Sequence, residues 1–444
     1  MEKEPYKYAR IMCSGERIPM PNEEKKEELQ EIKKNLQEIN RKKDKKTRNS
    51  AIMGGIMILA LTVAVVLLIT NFTDLEEIKQ VFLSIGQNHH WVWLFVAFLL
   101  LIIFLFLWPL SLIAFSKSNG IDKVVGKRKL FEIATIEQFY NNVTPFAFGG
   151  QPMEVYLMKE CGADMSKATG SILATFVVHV VASNIYAIIA LFFFPFYIKG
   201  LSQGGITGLT SWLNPTVFTI IIAIGYFNNI LTLVIMLLLG LSKRVRNLLV
   251  SLLTKISKWK MFRKFLPSKI EAFENYCDKT QTAFKEIFTH KKAFLLSLLY
   301  RMLADLAYYS IPFFLLLAVG VELSNVNPFF VYILVMFGTS FAITAVVWVP
   351  TPGTTGGIDY AFAVVLASLS VIGLGGNLFT SETVWATSQT ISLLWRGYTY
   401  YFVILFGLFV SIALEIELAK KQSQEIKILA KQAEEISHQD NPEL

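Results

Sequence analysis

Cysteine, charge and the signatures of soluble chemistry are all scarce in this 444-residue chain. Three cysteines (Cys13, Cys161, Cys277) are too few and too dispersed for a disulfide framework, and none belongs to a Cys-x-x-Cys pair. Charged residues make up 17% of the chain, where a soluble domain carries about 25%. The five histidines are scattered, with His89, His90, His290 and His438 in loops or the tail and His179 alone in an apolar run, so no metal cluster or cofactor is expected. No phosphate-cradling nucleotide loop, serine elbow or supported Cys/His pair is present, and a soluble catalytic domain is thereby excluded.

What the chain has is apolar sequence: 53% of its residues are hydrophobic. They gather into runs near the length that crosses roughly 30 Å of hydrocarbon at about 1.5 Å per residue. The expected fold is all-α, a polytopic helical membrane protein of about eight spans, at 51–70, 91–115, 168–196, 216–240, 293–319, 327–349, 359–374 and 384–413. The span at 359–374 is short enough to be half of a broken helix. Basic residues alternate between connections. The stretch 71–90 has one, whereas 241–270 has nine Lys/Arg and no acid. By the positive-inside rule both termini are cytoplasmic. The formal charge of +8 then reflects topology and anionic lipid rather than nucleic acid.

Three regions follow. Residues 1–50 hold 14 Lys/Arg and 10 Asp/Glu, with Leu29, Ile32, Leu36 and Ile39 at helical spacing, and read as a charged cytoplasmic helical segment without a secretory signal. Residues 51–413 form the transmembrane domain, with an amphipathic cytoplasmic connection over 241–292. Residues 414–444 read as a cytoplasmic helical tail. Within the connection, Leu248, Leu252, Ile256 and Trp259 share one helical face among basic residues, so 243–264 is expected to lie on an anionic inner leaflet, or else to pack on its neighbours.

The informative feature is a repeated interruption. The segment FYNNVTPFAFGGQPMEVYLMKE at 139–160 is half apolar yet carries Pro145, Gly149, Gly150 and Pro152. A second, VWVPTPGTTGGIDYAF, covers 347–362. They share Thr144-Pro145-x-x-x-Gly149-Gly150 and Thr351-Pro352-x-x-x-Gly356-Gly357, in two halves of similar layout, about 51–240 and 293–413. Irregular backbone at membrane depth is tolerated where protein or a watery cavity satisfies it. Matched interruptions in two halves point to a transporter's binding site, where helix ends favour an anionic group.

Few charges lie inside the apolar runs. Arg301 and Asp305 stand four apart on one face, open to two readings: a structural ion pair, or Arg301 against a lipid phosphate. Arg396 has no acid in its own span, and Asp359, Glu154 or a ligand's phosphate could meet it. His179 is expected to make a helix–helix hydrogen bond.

The stretches FYNNVTPFAFGGQPMEVYLMKECG, VPTPGTTGGIDYAF and WRGYTYYFVILFGLF together resemble the lysylphosphatidylglycerol synthase transmembrane-region family, over most of 51–413. That family includes the flippase half of bacterial multiple peptide resistance factors. The resemblance implies a multi-pass protein of the bacterial plasma membrane that handles phospholipid. It places a headgroup pocket at Asn141, Asn142, Thr144, Pro145, Gly149, Gly150, Gln151, Thr351, Pro352, Gly353, Gly356 and Gly357. Arg301 and Arg396 would neutralise phosphate, while Glu154, Asp305 and Asp359 would balance charge or meet an amino headgroup. The soluble lysyl-transfer domain of full-length members has no counterpart before Leu444, so transferase activity is the alternative expectation and a non-transporting membrane organiser a third. A homo-oligomer stays open.

Overall fold

The computed structural model describes residues 90–147, 149–203, 215–257, 267–324, 326–372 and 383–440, with Leu83 and Ile85. The helix expected at 23–46 and the span at 51–70 lie outside these residues, as does Trp259. Among the described residues the chain is helical without a sheet: α1 Trp91–Ser118, α2 Lys127–Val143, α3 Gly150–Glu160, α4 Met165–Leu191, α5 Phe194–Gln203, α6 Pro215–Leu241, α7 Lys243–Ser257, α8 Pro267–Thr289, α9 Lys291–Ala318, α10 Pro328–Val346, α11 Gly357–Ala367, α12 Val384–Arg396 and α13 Val403–Asp440. The chain divides into two compact units, Met57–Glu415 and a second made of Met1–Ile56 with Ile416–Leu444.

Among the described residues six helical runs are long and apolar enough to cross a membrane: α1, α4, α6, α9, α10 and the run from Val384 through α12 into α13. The expected span at 359–374 is instead the eleven-residue α11 followed by a 3-10 turn, Ser368–Ile372. An apolar run states how greasy a segment is, and not where its helix stops. The last span is interrupted by a π-helical turn at Gly397–Phe402. Two of the long helices are capped at their starts by side chains. Asp164 accepts from the Ser166 and Lys167 amides at the head of α4, and Asn327 from Phe329 and Phe330 before α10.

The most extensive packing is between α1 and α9. They run antiparallel, with Trp93 against Phe314, Phe104 against Tyr308, and the Ser111 and Ser297 hydroxyls 2.5 Å apart. Small hydroxyl residues let two helix backbones approach closely in lipid. Elsewhere, Phe341 of α10 is a hub for the rings of Phe194, Tyr197, Phe218 and Tyr226. The buried hydroxyls of Tyr197 and Tyr226 donate to the Leu334 and Ala187 carbonyls, so this aromatic core leaves neither unpaired.

Outward faces are apolar. Phe95, Leu99, Ile102, Ile103 and Phe106 on α1, and Leu295, Leu299, Leu303 and Leu306 on α9, are exposed at helical spacing. Water would not tolerate a patch of this extent, and hydrocarbon is its natural solvent. Helix α7 differs. Its Arg246 donates to Glu274 and Asp278 of α8 at 3.1 and 2.9 Å, while Leu248 and Leu252 face outward between Arg244 and Lys255.

Where α6 crosses α10, a Cβ on Gly225 would fall on the Ala345 backbone. Gly225→Leu is therefore expected to lower stability by roughly 1–3 kcal/mol, as overpacking does, read as an earlier thermal midpoint in detergent. An unchanged midpoint would mean the two helices can part freely.

Candidate functional site

The two interruptions begin alike and part at the first glycine, Gly149 at φ −79° and Gly356 at φ 86°. Thr144 and Thr351 are extended, at φ −107°, ψ 143° and φ −104°, ψ 152°. Each leads into a 3-10 turn, Pro145–Ala147 and Pro352–Thr354, closed by a hydrogen bond from the third residue's amide to the threonine carbonyl. Ala147 and Thr354, at equivalent places, both adopt φ 54°, a left-handed conformation that side chains rarely accept. Both turns then open into helices of eleven residues, α3 and α11. The first turn packs directly on the second.

Arg396 organises the second turn. Its Nε lies 3.0 Å from Asp359 Oδ1, a close ionic contact without the alignment of a hydrogen bond. Its Nη2 donates to the Gly353 carbonyl at 3.1 Å and to Thr355 Oγ1 at 2.8 Å. The π-helical turn brings Tyr400 round to the same side, with its ring 4.1 Å from the guanidinium carbon. Asp359 Oδ2 in turn accepts from the Gly356 amide at 2.8 Å. Gly353 has φ 55° and its Cβ would meet the Tyr400 ring, so glycine is required there on two counts. Of the three partners the sequence allowed Arg396, Asp359 is the one in place.

The first turn is tied to a different arginine. Asn141 Oδ1 accepts from the Gly150 amide at 3.1 Å, and its Nδ2 donates to Glu137 Oε1 at 3.2 Å. Gln151 donates to the same oxygen, and the Trp108 indole donates to Glu137 Oε2 at 2.9 Å. Arg301 lies flat against that indole, 3.3 Å from guanidinium carbon to ring centre. Glu154 and Asp305 are buried nearby, 4% exposed each, and Arg301 is 2% exposed. Arg301 and Asp305 do not close to a hydrogen-bonded pair: Arg301 Nε and Nη1 and Asp305 Oδ2 have no hydrogen-bond partner among the described residues. On α2 and α3, outside the crossing helices, burial raises the Glu137 carboxyl above its usual range against the pull of Arg301, and raises Glu154 further with Glu137 repelling it.

The residues named from sequence thus fall into two linked groups. Thr144, Gly149, Gly150, Asn141 and Gln151 gather round the first turn, Glu154 follows on α3, Arg301 joins them through Trp108 and Glu137, and Asp305 interacts with Arg301; Thr351, Pro352, Gly353, Gly356, Gly357, Asp359 and Arg396 gather round the second. Asn142 is half-buried at the end of α2 and Pro145 is exposed. His179, expected to bridge helices by hydrogen bonding, packs against Trp108 with ring centres 5.2 Å apart and planes inclined by 58°, its Nδ1 unpaired among the described residues. Two participants went unnoticed in the sequence, Glu137 and Trp108. Glu137 was detectable as an acid four residues before Asn141 on one face of α2. Trp108 gave no signal among its aromatic neighbours. Among the described residues no group of His, Cys, Asp and Glu could hold a metal ion.

The chain matches the family described as the lysylphosphatidylglycerol synthase TM region over residues 55–407. It is also similar to a UPF0104 membrane protein of Archaeoglobus fulgidus, 25% identical over 357 residues, covering 79% of this chain and 93% of that one. No solved structure matches.

Arg396→Met is expected to leave Asp359 charged and unpaired, costing about 3–5 kcal/mol, and adding Asp359→Asn should return part of the loss because the amide oxygen still accepts from Gly356. Thermal unfolding of the three variants checks this. Additive losses would show that the pair does not couple.

Proposed function

Since the chain belongs to the lysylphosphatidylglycerol synthase transmembrane-region family, we propose that it binds a phospholipid headgroup between its two Thr-Pro-x-x-x-Gly-Gly turns and carries it from one leaflet to the other. The supporting observation is the junction itself: two interruptions that begin alike are packed together, and the first is linked through Glu137 and Trp108 to buried Arg301, whose Nε and Nη1 have no hydrogen-bond partner among the described residues. A phosphate diester presents two anionic oxygens, the acceptors a guanidinium is shaped to meet.

In this reading Arg301 takes the phosphate. Asn141, Asn142, Thr144, Pro145, Gly149, Gly150 and Gln151 line one side, with Thr351, Pro352, Gly353, Gly356 and Gly357 opposite. Arg396 and Asp359 hold the second turn in shape, since each is already engaged by the other. Glu154 and Asp305 meet an amino group where the headgroup has one. Acyl chains stay in hydrocarbon, and the apolar furrow lined by Phe402, Leu405, Phe406, Phe409, Val410 and Ala413 offers them a path along the outer face of α13. The protein works in a cell's plasma membrane with both termini in the cytoplasm. The outward face of α7, Leu248 and Leu252 between Arg244 and Lys255, rests on anionic inner-leaflet lipid.

Proteoliposomes carrying a fluorescent phospholipid, with leaflet occupancy read by external quenching, test the proposal. Wild type is expected to move lipid faster than empty vesicles. Arg301→Gln should lower the rate by about tenfold or more, the effect of losing one charge-assisted contact. Equal rates in wild type, Arg301→Gln and empty vesicles would end the translocase reading.

A further inference from the structure

Charge around Arg301 does not balance. Three carboxyl groups, those of Glu137, Glu154 and Asp305, are 7%, 4% and 4% exposed, and among the described residues the guanidinium of Arg301 is the cation that interacts with all three. Fully ionised, the cluster would hold two uncompensated negative charges in a medium too apolar to screen them. The neighbouring groups do not supply the missing positive charge. Helix α4 brings His179, set against Trp108, and Tyr186. From α9 come Tyr308 and Tyr309, and Arg396, the other buried arginine among the described residues, is already bound to Asp359. On α2 and α3, Glu137 and Glu154 face one another as well as Arg301. Among the described residues, Arg301 Nε and Nη1 and Asp305 Oδ2 remain unpaired at the centre of this arrangement.

We propose that the Glu137–Glu154–Arg301–Asp305 cluster is a proton-binding site whose occupancy is coupled to the headgroup. This deepens the translocase reading and rests on it. A phosphate that takes the free N–H groups of Arg301 draws the guanidinium away from the acids and adds a negative charge. One carboxylate then takes a proton from water, forming an O–H bond and becoming neutral. When the phosphate leaves, Arg301 returns to the acids and the same proton goes back to water. Headgroup and proton enter and leave together, so a proton gradient drives the lipid. The hydrogen bonds from Asn141, Gln151 and Trp108 onto Glu137 connect that carboxyl to the Gly149-Gly150 turn, which gives headgroup contact a route to the titrating groups.

Two measurements test this. The first adds phosphatidylglycerol to the purified full chain in weakly buffered detergent solution with a pH-sensitive dye. Uptake of about one proton per chain is expected, and none with diacylglycerol, which lacks phosphate. The double variant Glu137→Gln, Glu154→Gln should lose the uptake while keeping its elution position on size exclusion. No uptake by wild type at saturating phosphatidylglycerol overturns the proposal, as does uptake that survives in the double variant. The second imposes a gradient of one pH unit on wild-type proteoliposomes, where up to about a tenfold change in lipid movement is expected. Lipid movement that ignores the gradient overturns the coupling and leaves the translocase standing. Absence of any lipid movement overturns the translocase, and proton uptake in solution then decides the binding site alone.

Discussion

A buried peptide group has no water to turn to, and the structure around both turns is organised by that constraint. Every helix break frees amides and carbonyls that must find partners within the protein. Here side chains supply them. Thr144 Oγ1 accepts from the Gly149 amide, Asn141 from Gly150 and Asp359 from Gly356, while Arg396 donates to the Gly353 carbonyl. The polar residues at the centre of the protein are therefore first of all backbone partners. Their burial is tolerated because they satisfy groups that would otherwise stand alone.

The two arginines show how the same residue type serves different ends. Arg396 has an acid, a carbonyl, a hydroxyl and an aromatic ring about it, and its position is fixed from several sides. Arg301 has an indole face and carboxyls at a distance, with donors left over. A guanidinium held by an acid, a carbonyl and a hydroxyl fixes the backbone it touches; one with two nitrogens unpaired among the described residues fixes none. The difference lies in the neighbours each arginine meets.

Much of the architecture was legible in the sequence. Long apolar runs located α1, α4, α6, α9 and α10, because hydrocarbon thickness sets a minimum length that composition reveals directly. The repeated Thr-Pro-x-x-x-Gly-Gly pattern anticipated two turns that begin alike, since proline fixes φ, but not that they part at Gly149 and Gly356. The 359–374 run was misleading because apolar content continues past the end of α11 into a 3-10 turn. The site was less legible. Arg301, Glu137 and Trp108 sit on α9, α2 and α1, up to 193 residues apart, and no local spacing announces that they meet. Nor does sequence reveal that the Gly397–Phe402 turn widens and carries Tyr400 beneath Arg396.

The contact between the two turns has a consequence for how the chain assembles. Pro145 and Pro352 lie 207 residues apart, so the junction closes a long loop. Closure of that kind costs conformational entropy that local helix formation does not, and the junction therefore depends on helices already in place to hold its two sides together.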